Sequence, residues 1–89
     1  MIVFASVEAV GGSLVKCEVE CVPAGQRMID EIIDDCEQIY VDIALFFKKG
    51  FTPMEGDIYT VVYEDGNVQA VCSIDVNEKI RRLSYLNLI

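Results

Sequence analysis

Eighty-nine residues, 53% hydrophobic and 25% charged, suffice for one folded domain and exclude both a second core and a disordered chain. Fifteen Asp and Glu stand against seven Lys and Arg, a net charge of −8, so a phosphate backbone meets a repulsive average field and direct nucleic-acid binding is disfavoured. Histidine and tryptophan are absent, which removes the usual general base at neutral pH and the commonest metal ligand.

Met1 to Val10 has no Lys or Arg ahead of its apolar residues, unlike a signal peptide, and no apolar run approaches the roughly twenty residues that span a bilayer. The expectation is a cytoplasmic protein without membrane association. The first 22 residues read as strand, turn, strand, with Gly11-Gly12 supplying the left-handed turn positions. In the second strand Val15, Cys17, Val19 and Cys21 alternate with Lys16, Glu18 and Glu20, so one face covers a core and the other meets water. Pro23-Ala24-Gly25 breaks the alternation.

From Met28 the period changes to that of a helix. Met28, Ile29, Ile32, Ile33, Cys36, Ile39 and Tyr40 share one side of the helical wheel, and Asp30, Glu31, Asp34, Asp35 and Glu37 fall outside it. Ile39, Val41, Ile43 and Leu45 also alternate as a strand would, which places the switch from helix to strand near Gln38. Asp57 to Tyr63 and Val68 to Ile74 read as two further strands, joined through Asp65-Gly66, a strong hairpin signal. Asp75 then stands at an N-cap position with Glu78 three residues on, ahead of Val76, Ile80, Leu83 and Leu86 at helical spacing. The whole is a single β-rich domain over residues 1–89. Its expected class is α+β: a small curled antiparallel sheet of SH3-like barrel type, with five strands, one inserted amphipathic helix and a short C-terminal helix.

Gly12, Cys17 and Glu18, then Val41-Asp42-Ile43, Glu55-Gly56-Asp57, and Ile74-Asp75 with Glu78, Lys79, Arg81 and Arg82 form a pattern. It resembles the small bacterial family called domain of unknown function 3006, over about two-thirds of the chain. The acidic segment Gln26 to Gln38 is an insertion relative to that pattern. The resemblance implies a small β-rich fold and assigns no catalytic residue.

The four cysteines, Cys17, Cys21, Cys36 and Cys72, all fall on apolar faces and read as core side chains, with no Cys-x-x-Cys step to suggest metal or redox chemistry. Carboxylate pairs such as Asp34 with Asp35, or Glu55 with Asp57, lie in segments that read as exposed, where ordinary carboxylates do no acid–base work. No catalytic residue, metal ligand or cofactor site is assigned, and the protein is expected not to be an enzyme. The distribution of charge is more informative. Residues 1–44 hold nine acids and two bases, residues 45–89 six acids and five bases, and between Asp30 and Asp42 there are six acids and no base. The functional expectation is therefore an interaction module that binds a basic protein partner through Asp30, Glu31, Asp34, Asp35, Glu37 and Asp42, in its sharpest form as an inhibitor or nucleic-acid mimic of the phage anti-defence kind. The alternative is a small-barrel ligand or nucleic-acid binder using tyrosines with Lys48-Lys49.

Overall fold

A computed structural model describes residues 1–26 and 35–87, with side chains through residue 84. Two long strands open the chain, β1 (Ile2–Gly11) and β2 (Leu14–Pro23), joined by a tight turn in which Gly12 takes a φ of 60°. A short 3-10 turn follows at Ala24–Gln26. Then come β3 (Cys36–Asp42), a one-turn helix α1 (Ala44–Phe47), β4 (Ile58–Glu64), β5 (Asn67–Ile74) and the C-terminal helix α2 (Val76–Asn87). The β4–β5 turn has positive φ at both Asp65 and Gly66, as the Asp-Gly pair predicts.

All five strands form one antiparallel sheet in the order β3-β2-β1-β4-β5. Three strands in succession, with the fourth returning beside the first, make a Greek key. Register shifts interrupt the β1–β2 ladder between Val3 and Ala5 and again between Val7 and Ala9, and two more interrupt β4–β5. Bulges of this kind sharpen twist, and the sheet curls. Side chains at alternate positions enter its concave side: Val3, Ala5 and Val7 from β1, Val15, Cys17 and Val19 from β2, Tyr59, Val61 and Tyr63 from β4, with Val41 and Val71 from the outer strands. Phe46 of α1 plugs one end, fully buried, its ring edge-on to Tyr59 at 4.9 Å, and Phe51 meets the same tyrosine at 5.4 Å.

Among the described residues the ladder stops at β3 and β5, so the sheet is curled but not closed, and the structure shows a five-stranded antiparallel sheet rather than the barrel expected from sequence. The carboxyl end expected for the inserted helix is also corrected. Cys36, Glu37 and Gln38 belong to β3, paired with β2 from Glu20↔Cys36 to Leu14↔Asp42. The helix signal is carried mainly by Met28, Ile29, Ile32 and Ile33, which with Asp30, Glu31 and Asp34 lie outside the described residues. From Cys36 onward the β-branched alternation and the ready partner in β2 decide the conformation. The strand ends earlier than the run Ile39-Val41-Ile43-Leu45 suggests, because Asp42 Oδ1 accepts the amide of Ala44 at 2.9 Å and turns the chain into α1.

Helix α2 begins with the N-cap its sequence predicts, Asp75 Oδ1 accepting the Glu78 amide at 2.8 Å, but Glu78 does not return the bond as in a capping box: the Asp75 amide donates to the Ile58 carbonyl at 2.8 Å and the Glu78 carboxylate accepts from Arg81 and Arg82. Its orientation is the reverse of an ordinary amphipathic helix. The polar side faces the sheet: Glu78 is buried, Lys79 pairs with Asp57 at 3.0 Å, and Arg82 donates to Glu20, to Glu78 at 2.8 Å and to Ser6 Oγ at 3.2 Å. The Arg82 guanidinium also lies 5.4 Å from the centre of the Phe4 ring.

Candidate partner-binding face

Of the six acids expected to bind a partner, Asp35, Glu37 and Asp42 are described, and all three are exposed along the edge strand β3 or at its threshold. Asp30, Glu31 and Asp34 fall outside the described residues. Glu37 does not share a helix flank with Asp30 and Asp34 as the wheel predicts, since it sits in a strand. Across a strand of this length the acids spread over about 23 Å, at roughly 3.3 Å per residue from position 35 to 42.

Each acid has a distinct local role. The Asp35 carbonyl accepts the Cys21 amide at 2.8 Å and opens the β2–β3 pairing, leaving the carboxylate in solvent. Glu37 stands on the concave side of β3 and accepts a hydrogen bond from the Tyr63 hydroxyl on β4, so a side-chain contact joins strands that β2 and β1 separate in the ladder. Asp42 holds the turn into α1. On the adjoining outer face Glu18 stands opposite Gln38, and Glu8 accepts from Gln38 Nε2 at 3.4 Å and lies 3.8 Å from Lys16. Lys16, which pairs across from Tyr40 of β3, is therefore already beside an acid.

Neighbouring thiols register this negative field. Burial pushes the Cys36 thiol up to about 11, helped by the charges of Glu18 and Glu20, and Cys21 is raised by burial and by Asp35 and Glu37. Cys17 is raised by burial, with Glu8 adding to it, to about 12. Such thiols are poor nucleophiles. Cys17 is a core side chain as expected and Cys21 packs against the core, whereas Cys36 lies on a strand rather than a helix face and Cys72 is exposed on β5. Among the described residues no three Cys, Asp or Glu side chains converge as a metal-binding group.

The two carboxylate pairs considered for catalysis separate differently. Asp34 lies outside the described residues. Asp57, expected to be exposed, is 9% exposed, its Oδ2 accepting the Met54 amide at 3.1 Å and the Tyr59 hydroxyl at 3.4 Å while Lys79 holds Oδ1. These bonds fix the loop before β4 and dock α2. Asp57 is an anchor whose Lys79 partner lies 22 positions away, a pairing that no local pattern in the sequence announces.

One shallow, open groove lies on the outer face near the β1–β2 turn, about 320 Å³ in volume and lined by Ala9, Val10, Gly11, Leu14, Lys16 and Tyr40. Tyr40 is 64% exposed at its rim. The outward polar face of β2 was legible from alternation, but its meeting with Gln38 and Tyr40 depends on the β2–β3 register. No protein-family model, curated protein or solved structure matches the chain.

Proposed function

We propose that the protein is a small non-enzymatic interaction module that captures a basic protein partner on the acidic margin formed by β3 and the acids preceding it. The observation that carries this reading is the edge strand itself: Glu37 and Asp42 lie on it and Asp35 just ahead of it, all three exposed, and no Lys or Arg occurs from Met28 to Phe47. A strand edge also offers unpaired backbone groups to an extended partner segment. At its most specific the margin substitutes for nucleic-acid phosphates on a nuclease or regulator, the inhibitor role expected from the charge distribution.

The test is capture of a partner from lysate by the parent and by a variant with Asp30, Asp34, Asp35 and Asp42 changed to Asn and Glu31 and Glu37 changed to Gln. Amides retain an oxygen acceptor for the bonds from Tyr63 and Ala44, so folding is preserved while charge is removed. Loss of the partner supports the module. Retention at full affinity makes the acids a solubilising surface only.

A second reading has its own observation. Five strands in a partly open Greek-key arrangement, with an exposed tyrosine and a lysine on the β2–β3 face, resemble the platform of small ligand- and oligonucleotide-binding barrels. In that case Tyr40→Ala, or replacement of Lys48 and Lys49, abolishes binding that the amide variant leaves intact.

A further inference from the structure

Val76, Ile80 and Leu83 are 53%, 55% and 52% exposed, although they are the apolar residues that helical spacing assigns to one side of α2. The charged side of the helix occupies the sheet instead. Steps of four and three residues align the three side chains in a straight seam, the spacing by which one helix packs against another. Ile74, 38% exposed and just ahead of the helix, adds to the same apolar region.

We propose that this seam is a two-fold contact with a second copy of the chain, the two α2 helices packing antiparallel with Ile80 near the axis and Val76 of each opposite Leu83 of the other. The distribution of charge selects a copy as occupant. In the layer between α2 and the sheet, Glu20, Asp57 and Glu78 face Lys79, Arg81 and Arg82, three charges of each sign. The entire net charge of −8 consequently resides outside that layer. Two molecules so strongly acidic repel one another through most of their surface, and this face is where they approach with least repulsion. A basic partner gains nothing from it, because the nearby acids are already paired. Asp75 lies at one end of the seam, where an antiparallel copy brings the uncharged Leu83 and Ser84.

An isologous contact needs a self-complementary surface, and an uncharged seam of similar aliphatic side chains supplies one. The contact is small. Twelve helical residues span about 18 Å, and a stable interface of standard size buries about 800 Å² on each partner. The dimer is accordingly weak and dissociates on dilution.

Sedimentation velocity of the intact protein over a range of concentrations tests the proposal, with Ile80→Lys and Leu83→Lys as variants and circular-dichroism melting as the control for folding. The expected result is a concentration-dependent monomer–dimer equilibrium for the parent, with both variants monomeric throughout and melting no lower than the dilute parent. A parent that stays monomeric at the highest concentration overturns the proposal, as does a dimer that survives both substitutions. A variant that unfolds also overturns it, because the seam is then covered within its own chain.

Discussion

Tyr63 and Glu37 make the contact that most economically links the candidate face to the core. The tyrosine is 8% exposed, and its phenol pKa is pushed up to about 12, first by the hydrogen bond to Glu37 and then by burial. Tyr59, buried beneath Phe46 and Phe51 and close to Asp57, is likewise raised to about 12, chiefly by burial. A phenol whose folded pKa exceeds its ordinary value of 10 stabilises the fold fully below that pH, and the contribution is lost as pH rises through the folded value. Stability should begin to fall above about pH 9, where the raised Cys17 and Cys36 thiols start to lose their contribution, and fall further between about pH 10 and 12, with the tyrosinate absorbance of both tyrosines emerging alongside unfolding. Tyr63→Phe should lower stability by about 1 kcal/mol in urea denaturation and remove part of the alkaline loss. An unchanged alkaline profile would show that the Tyr63–Glu37 bond has no energetic role.

Helix α2 draws its position from charge, and the consequences can be measured. Burial alone raises the Glu78 carboxyl, but the hydrogen bonds and charges of Arg81 and Arg82 outweigh it and hold the group below its usual 4.5. A carboxylate depressed in the folded state contributes stability above its unfolded pKa and loses that contribution as pH falls through the folded value. Acid should therefore release α2 below about pH 4.5. Arg82→Ala leaves the carboxylates of Glu20 and Glu78 without their bridging cation. Discounted for the partial exposure of Arg82, the loss should be about 2 kcal/mol, read as a lower urea midpoint. A shift below a few tenths of a kcal/mol would mean that the network does not hold the helix. The start of α2 was legible in the sequence because an N-cap is a local pattern: Asp75 and Glu78 are three residues apart. Its inverted orientation was not, because Arg82 finds Glu20 across 62 positions and Lys79 finds Asp57 across 22. The strands of both hairpins were readable from alternation and turn residues. The beginning of β3 was misread because Cys36 and Ile39 satisfy both the helical and the strand period, and only the β2 register chooses between them.

Taken as one body, the molecule separates its charges into two territories. Around α2 the ion-paired charges balance and Val76, Ile80 and Leu83 are exposed; along β3 Asp35 and Asp42 face solvent, Glu37 meets Tyr63, and Lys16 on the neighbouring strand lies beside Glu8. The proposed contact with a second copy falls in the first territory and the proposed capture of a basic partner in the second, so the two proposals do not compete for one surface. The acidic bias was legible in the sequence as six acids without a base from Asp30 to Asp42. Its placement was not, since the wheel put Glu37 on a helix flank and the structure puts it on an edge strand beside Tyr63. The measurement that bears most directly on the acidic face is isothermal titration of an oligolysine peptide into the parent and the six-fold amide variant, at low salt and at physiological ionic strength, where the Debye length is about 8 Å. Binding by the parent that weakens with salt, and at least a tenfold loss in the variant, about 1.4 kcal/mol, is the predicted result. Equal affinity for the two proteins, or affinity indifferent to salt, would contradict it.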